Sequence, residues 1–289
     1  MKLRHWSTIL MLMWSASALA ASPTTVRKQI EASMLVTGSV LIEPDGSVGQ
    51  LEIDDRAALP TEVAGLIESA GSAWKFEPVR VDGIARRAKA RMSLLLVANR
   101  RDDGKYGVSI RSGYFGEDAM TAEERQHRAD SIRLLSRKPN PTYPMGASEK
   151  GARGTVYLAV KVGRQGMVED VIVEQVNLRY VASESEMRKM RDMFARSALA
   201  AVKNWTFQPP TEGASASADF WSVRVPIRYD FDVKAPSYGE WQAYVPGPRQ
   251  PIPWSGRAPV ENDSPDALVA GGIYEIGKGM QLLTPLQSG

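Results

Sequence analysis

The chain has 289 residues, of which 43% are hydrophobic and 24% charged, a composition typical of globular protein and a length that fits about two domains. The formal net charge is +3, and it falls to +1 without Lys2 and Arg4, which leaves 34 basic and 33 acidic side chains. So small a charge is poor evidence for nucleic-acid binding, and we expect no nucleic-acid partner. Cysteine is absent, so stability must come from packed cores rather than disulfides.

The first twenty residues have the pattern of a secretory signal peptide. Lys2, Arg4 and His5 precede an apolar stretch from residue 6 to residue 20, which ends in a small-x-small cleavage site. The stretch is shorter than the roughly 20 apolar residues that span a bilayer. We expect cleavage after Ala20 and a periplasmic location. An uncleaved inner-membrane anchor is the alternative, and membrane contact is expected only in that case.

Residues 21–98 predict a first domain with the element order β-β-α-β. Apolar residues 40–42 and 48–53 flank the turn signal Pro44-Asp45-Gly46-Ser47, which indicates a hairpin. Pro60 suits the start of a helix, and apolar residues follow at helical spacing as far as Trp74. An alternating strand then covers residues 86–94.

Residues 99–138 are interpreted as a linker. Residues 99–116 are polar and rich in glycine. Thr121 to Glu124 fits a capping box, which predicts a charged helix extending to about Arg137 and ended by Pro139 and Pro141.

Residues 139–233 repeat the β-β-α-β order. Alternating strands at 156–162 and 168–175 flank a Gly163–Gly166 turn, and Ser183 with Glu186 fits a capping box that opens a helix with an apolar stripe. A last alternating strand covers 221–231. Residues 234–289 are rich in proline, with aromatic residues interleaved, among them Trp241, Tyr244, Trp254 and Tyr274. We predict either an extended C-terminal tail laid over the second domain or a partly disordered segment.

One string occurs in the same place in both domains. Trp74-Lys75-Phe76-Glu77-Pro78 and Trp205-Thr206-Phe207-Gln208-Pro209 each follow the predicted helix and precede a strand. This indicates one α+β unit used twice. We interpret each tryptophan as a buried joint between helix and sheet rather than a ligand platform, because burying such a ring stabilises a core strongly.

The second domain resembles the TonB C-terminal domain over residues 139–232. The shared pattern is Tyr-Pro, a small residue, Gly-x-x-Gly-x-Val, a strand, Gly-x-Val, a helix, Trp-x-Phe-x-Pro and a strand. The matching positions are Tyr143, Pro144, Ala147, Gly151, Gly154, Val156, Gly166, Val168, Trp205, Phe207 and Pro209. The first domain is similar only from Gly38 to Leu96. The resemblance implies two small antiparallel sheets, each packed on one helix.

The resemblance also implies a function. TonB-type domains bind the plug-side peptide of outer-membrane transport receptors by strand addition and couple proton-motive energy to uptake of siderophores and similar cargo. This chain departs from a full transducer, because it has a cleavable leader, no Pro-rich spacer before the domain, and a duplicated domain. We therefore expect a periplasmic TonB-like protein that binds receptor peptides, with a homodimer left open. The alternative is a non-enzymatic structural or assembly module of the cell envelope.

The last strand of the second domain is the predicted partner-binding site. Pro226 lacks an N–H, so it is best tolerated on an edge strand, where a peptide could add or where the proline could instead blunt the edge. The predicted binding residues are Trp221, Val223, Arg224, Val225, Ile227 and Arg228.

Nothing in the sequence indicates an enzyme or a cofactor. With no cysteine, and with His127 as the one histidine after the leader, neither a metal site nor a Ser-His-Asp site is expected. Walker and Rossmann glycine patterns are absent. The basic strand from Arg86 to Arg91 is interpreted as a solvated face, with a patch for acidic envelope polymers or lipid head groups as the alternative.

Overall fold

The computed structural model describes residues 31–100, 106–116, 129–231, 237–255 and 264–287. It is an α+β structure of antiparallel sheets and few helices, as the sequence predicted. The predicted leader lies outside the described residues, as does the capping box at 121–124. Within the described ranges, no helix is long and apolar enough to cross a membrane.

The first unit is a sheet covered on one face by a helix. In chain order its elements are β1 (Glu31–Ile42), β2 (Val48–Ile53), α1 (Thr61–Ser72), β3 (Arg80–Val81), β4 (Ile84–Ala85), β5 (Ala88–Arg100) and β6 (Tyr106–Gly116). Strand β1 pairs with β5 on one side and with β2 on the other, and β6 adds to the far edge of β5. The predicted β-β-α-β order is therefore present.

The first unit is longer than predicted, because residues 106–116 form β6 and not part of a linker. The side chains of Ile110 and Phe115 on β6 pack in the first core, where they are 6% and 5% exposed. Val108 and Ile110 alternate, but Phe115 is out of phase with them across a register shift in the pairing, so the sequence signal was weak. Pairing with residues 91–100 of β5 forms the strand.

The second unit repeats this plan. Its elements are β7 (Arg133–Ser136), α2 (Met145–Ser148), β8 (Gly154–Gly163), β9 (Val168–Leu178), α3 (Glu184–Val202), β10 (Thr206–Gln208) and β11 (Phe220–Tyr229). Strand β8 lies between β9 and β11. The Ser183 side chain accepts a bond from the Glu186 N–H, and the predicted apolar stripe of α3 is buried. The capped amphipathic helix is thus confirmed.

The predicted helix does not extend to Arg137. Residues 133–136 form strand β7, which pairs with β10. Leu134 of β7 packs against the second core, and this tertiary contact overrides the local helical preference of a charged segment.

The C-terminal tail crosses both units. Strand β12 (Gln242–Tyr244) pairs with β1, and β13 (Tyr274–Glu275) pairs with β11. Trp241 lies against the first core. The described part of the tail packs on the first unit as well as on the second, whereas the sequence predicted packing on the second alone.

The repeated Trp-x-Phe-x-Pro segments are packing joints. Trp74 and Trp205 are each 2% exposed. The Phe76 N–H donates to the Gly46 carbonyl at 2.8 Å, and the Phe207 N–H donates to the Gly166 carbonyl at the same distance. Each segment therefore clamps the hairpin turn of its own unit, which explains why both strings recur. Pro209 follows the last residue of β10, and half-buried Pro78 occupies the same place in the first unit.

The Tyr-Pro lead-in of the second unit is also structural. The Tyr143 ring stacks on Phe231 at 4.7 Å and lies edge-on to Phe194, and its hydroxyl donates to the Ala152 carbonyl. Burial raises the pKa of Tyr143 to about 12. Pro144 precedes α2. At Gly154 a side chain would meet the Asn177 carbonyl oxygen at 2.7 Å, so this start of β8 requires glycine.

Candidate functional site: the cleft beside strand β11

Most of the predicted partner-binding side chains are buried. Trp221, Val223, Val225 and Ile227 point into the second core and are at most 8% exposed. Arg224 lies on the opposite face and is 6% exposed, whereas Arg228 is partly exposed. Five of the six side chains therefore present no surface to a partner. What β11 offers a partner is its backbone edge.

Arg224 has a structural role. Its guanidinium donates to both carboxylate oxygens of Glu174 on β9, at 2.8 and 3.1 Å, and Arg249 of the tail donates to the same carboxylate at 2.7 Å. The Glu174 side chain is fully buried. A buried carboxylate must be paired, so these two arginines hold β11 and the tail onto β9.

The outer edge of β11 is the edge that faces away from β8. In an antiparallel strand the backbone groups of alternate residues point to opposite edges. The Ser222 carbonyl accepts a bond from Ile276 at 2.8 Å, and the Pro226 carbonyl accepts one from Gly271 at 3.1 Å, so even-numbered residues face outward. The missing N–H of Pro226 thus falls on the outer edge, where β8 does not need it. Strand β13 pairs on the outer side of β11, however, so β11 is not the edge strand that the sequence predicted.

The tail occupies part of this edge. Strand β13 pairs with Val223 and Arg224 only, and the bond from Gly271 to Pro226 lies next to them. At residues 222–226 the tail therefore occupies the edge, in addition to the donor that Pro226 lacks. The same alternation points the backbone N–H and C=O of Arg228 outward, past this covered stretch.

Among the described residues, Arg228 borders a cleft of about 720 Å³ between the two sheets. One wall is the outer face of β1 and β5, and the other is formed by β8, β9 and β11. The tail closes two sides, with residues 237–242 on one and 268–271 on the other. The residues of the walls are Ser33, Leu35, Thr37, Leu95, Thr155, Tyr157, Asn177, Arg179, Val225, Pro226, Ile227 and Arg228.

A hydroxyl network closes the deep end of the cleft. The buried Asp266 carboxylate accepts bonds from the Ser112 hydroxyl at 2.8 Å and from the Tyr244 hydroxyl at 2.5 Å. Asn177 of β9 donates to the same Tyr244 hydroxyl at 3.3 Å. These bonds join the tail, the first sheet and the second sheet. Burial, reinforced by the Asp266 charge, raises the pKa of Tyr244, so this phenol is a hydrogen-bond donor and not a base at neutral pH.

Arginines line the mouth of the cleft. Arg179 donates to Asp230 at 2.7 Å and to Gln242 at 2.8 Å. The Nε of Arg228 lies 3.8 Å from the same Asp230 carboxylate. Arg137 stacks over the Trp205 ring at 5.6 Å and donates to the Gly271 carbonyl. These contacts hold the cationic groups in place around the open end of the β11 edge.

The basic strand of the first unit is part of an ion-pair ladder. Arg87, directly before β5, pairs with Glu43, and Lys89 and Arg91 of β5 pair with Glu52 and Asp54. Hydrogen bonds from Arg91 hold the pKa of Asp54 below its usual value. The interpretation of this strand as a solvated face fits the arrangement, since these three basic side chains already have carboxylate partners.

Sequence reasoning did not find the cleft. Its walls come from segments more than 100 residues apart, and its closing residues Tyr244 and Asp266 lie in the tail. The one local signal is the alternation in β1, where Ser33, Leu35 and Thr37 face the cleft. Among the described residues, no group of three or more His, Cys, Asp or Glu side chains is placed to hold a metal ion.

Comparison of the chain with protein-family models, with curated proteins and with solved structures found no match.

Proposed function

We propose that this chain is a periplasmic protein that binds extended peptides by adding them as a strand to the outer edge of β11. On the TonB resemblance, the peptides are plug-side segments of outer-membrane transport receptors, and the binding serves receptor-linked transport. The leader pattern and the absence of cysteine support the periplasmic location.

One observation carries the proposal. The outward-facing backbone of Arg228 continues the edge that Pro226 and Ser222 already use for pairing, and it does so at the wall of the cleft. Strand addition needs such an edge together with room for the side chains of the added segment. The cleft volume lies within the range of roughly 300–1,000 Å³ that is usual for binding pockets.

The tail shows that this edge accepts strands. Residues 271–276 make backbone bonds to Ser222 and Pro226 and pair with the two residues next to Ser222. Because β13 has only two residues, an added peptide could extend the pairing beyond Gly271 or displace β13.

The test uses two substitutions at one position. Arg228→Pro removes the outward N–H, while the bonds from β11 to β8, which odd-numbered residues make, are kept. Arg228→Ala removes the same side chain but keeps the N–H. Affinity for synthetic receptor plug-segment peptides is measured by titration calorimetry on the full chain.

We expect Arg228→Ala to bind peptide within a few-fold of the unmodified chain, and Arg228→Pro to bind at least about tenfold more weakly, since one backbone bond and its alignment are lost. Equal affinities of the two variants would contradict strand addition at this edge. No binding by the unmodified chain would refute the proposed function and favour the envelope assembly module, which co-sedimentation with purified sacculi would then test.

A further inference from the structure

Each Trp-x-Phe-x-Pro segment pairs with a short extended segment from elsewhere in the chain. In the second unit Phe207 of β10 pairs with Leu134 of β7. In the first unit Phe76 forms a bridge with Leu282. We call residues 281–286 the closing segment. It accepts a bond from the Glu77 N–H at its Gln281 carbonyl, at 2.9 Å, and it donates one from the Leu283 N–H to the Lys75 carbonyl at 2.7 Å.

The two pairings are equivalent in chemistry. The Trp205 indole N–H donates to the Pro139 carbonyl at 2.9 Å, and the Trp74 indole N–H donates to the Leu286 carbonyl at 2.9 Å. The sequences correspond as well, with Leu134-Leu135-Ser136 in one unit and Leu282-Leu283-Thr284 in the other. The first leucine of each pair lies against its core, and the second is more than half exposed.

The two units differ in how the segment is connected. β7 is the first element of the second unit itself, whereas Leu286 is 212 residues away from Trp74 in sequence. The closing segment follows Gly277 and Gly279, which both have positive φ. The first unit is therefore completed by a segment that docks from a distance, and the fold of the unit does not require that segment to be its sequence neighbour.

The docked segment has the contacts of a peptide ligand. Leu286 is 5% exposed and fills the first core, where Leu282 also packs. The Thr284 hydroxyl accepts a bond from the Lys75 N–H at 3.1 Å, and the Gln287 side chain accepts one from the Ile110 N–H at 2.9 Å. Backbone pairing gives affinity, and the two leucine pockets give specificity.

We propose that the groove formed by residues 74–77 and β6 is a peptide-recognition site of its own, and that the partner it fits is a second copy of this chain, which presents the same closing segment. Exchange of a segment between identical copies replaces each contact with its equivalent. Because the closing segment is part of the same chain as the groove, its local concentration within one copy is high. Docking into a second copy therefore competes with docking into its own copy. This site is separate from the β11 edge and does not depend on the proposed function.

The first test empties the groove in the full chain. Leu282→Asp places a carboxylate against the first core, and Leu283→Asp is the matched control because Leu283 is 57% exposed. A fluorescent peptide of residues 280–287 is titrated into each variant and followed by anisotropy. We expect at least about tenfold tighter binding to the Leu282→Asp chain, because its own segment is released. Equal binding to both variants, or none to a folded Leu282→Asp chain, would overturn the proposal.

The peptide itself is then varied. The peptide with Leu282→Asp should lose at least about tenfold in affinity for the emptied groove, and the peptide with Leu283→Asp should bind as the unmodified peptide does. An equal loss of affinity in both peptides would show that the groove does not recognise the Leu282 side chain, and that would also overturn the proposal.

Two further measurements test the groove and the partner separately. If the Leu282→Asp chain does not fold, the unmodified chain is exposed to excess peptide with a photoreactive group in place of Leu283. Cross-links within residues 74–78 are expected, and cross-links elsewhere or none would contradict the site.

The second measurement mixes Leu282→Asp chains with Phe76→Asp chains, whose closing segment is free, and follows them by light scattering. A one-to-one complex is expected, and it should be missing when Leu283→Asp replaces Leu282→Asp. Peptide binding without such a complex would refute a second copy as the partner.

Discussion

Replacing Gly166 with alanine should force the β8–β9 turn away from the Trp-x-Phe-x-Pro segment of the second unit. Gly166 has a φ of +75°, and a Cβ atom there would lie 2.0 Å from the Phe207 carbonyl oxygen. That oxygen belongs to the backbone, so no rotamer change can relieve the overlap. Gly151 is the matched control, because its φ is +64° and nothing lies within 4 Å of the added Cβ.

The structure separates the energies of the two substitutions. A positive φ costs an alanine about 1–2 kcal/mol at either position. At Gly166 the bond from the Phe207 N–H is also lost, at about 1 kcal/mol, and the shift of buried Phe207 adds about 1–3 kcal/mol. We therefore expect Gly166→Ala to lower the free energy of unfolding by roughly 3–6 kcal/mol and Gly151→Ala by roughly 1–2 kcal/mol.

The assay is urea denaturation of the full chain followed by tryptophan fluorescence. The pair Gly46 and Gly83 repeats the comparison in the first unit, since a Cβ at Gly46 would lie 2.1 Å from the Phe76 carbonyl oxygen whereas Gly83 is open. If Gly166→Ala were no more destabilising than Gly151→Ala, the interpretation of the repeated string as a clamp on the hairpin turn would be wrong.

Three further predictions concern the polar groups that hold the units together. Ser112→Ala removes one of the donors to buried Asp266 and should cost about 1–3 kcal/mol and speed hydrogen exchange in residues 264–271; unchanged exchange there would contradict the network. Arg224→Ala leaves Glu174 with a single arginine and should destabilise the chain by about 2–4 kcal/mol, whereas a loss below about 0.5 kcal/mol in thermal denaturation would show that the pair is dispensable. The depressed pKa of Asp54 gives stability that is present above its ordinary value of 3.8 and is lost as pH falls through the lower folded-state pKa. Asp54→Asn should therefore weaken the melting-temperature drop between about pH 6 and about pH 3, and an unchanged drop would count against the ion pair.

The sequence predicted those parts of the fold whose signals are local. Such signals are the turn glycines, the capping Ser183 and the apolar stripe of α3, each of which acts within a few residues of its own position. The structure confirms the turns, the cap and the buried stripe. The repeated string also gave the order of elements in both units. Pro226 lies with its missing N–H on the side of β11 away from β8, but it did not mark an edge strand, because β13 pairs on that side.

The remaining features depend on distant contacts. β6 and β7 lack a sustained apolar alternation and form because β5 and β10 offer pairing edges. Four of the six side chains predicted to bind a partner on β11 are buried in the core by the same alternation that marks the strand, so the pattern could not separate core from site. The cleft and the closing segment bring together residues that lie far apart in the sequence, and no local pattern reports such proximity.

Amide hydrogen exchange at Arg228 reports whether a peptide adds to the outer edge of β11. The Arg228 N–H faces the cleft, whereas the neighbouring Ile227 N–H faces β8 and serves as an internal reference. With a bound receptor plug-segment peptide, we expect slower exchange at Arg228 and no change at Ile227. Unchanged exchange at Arg228 while the peptide is bound would contradict this expectation.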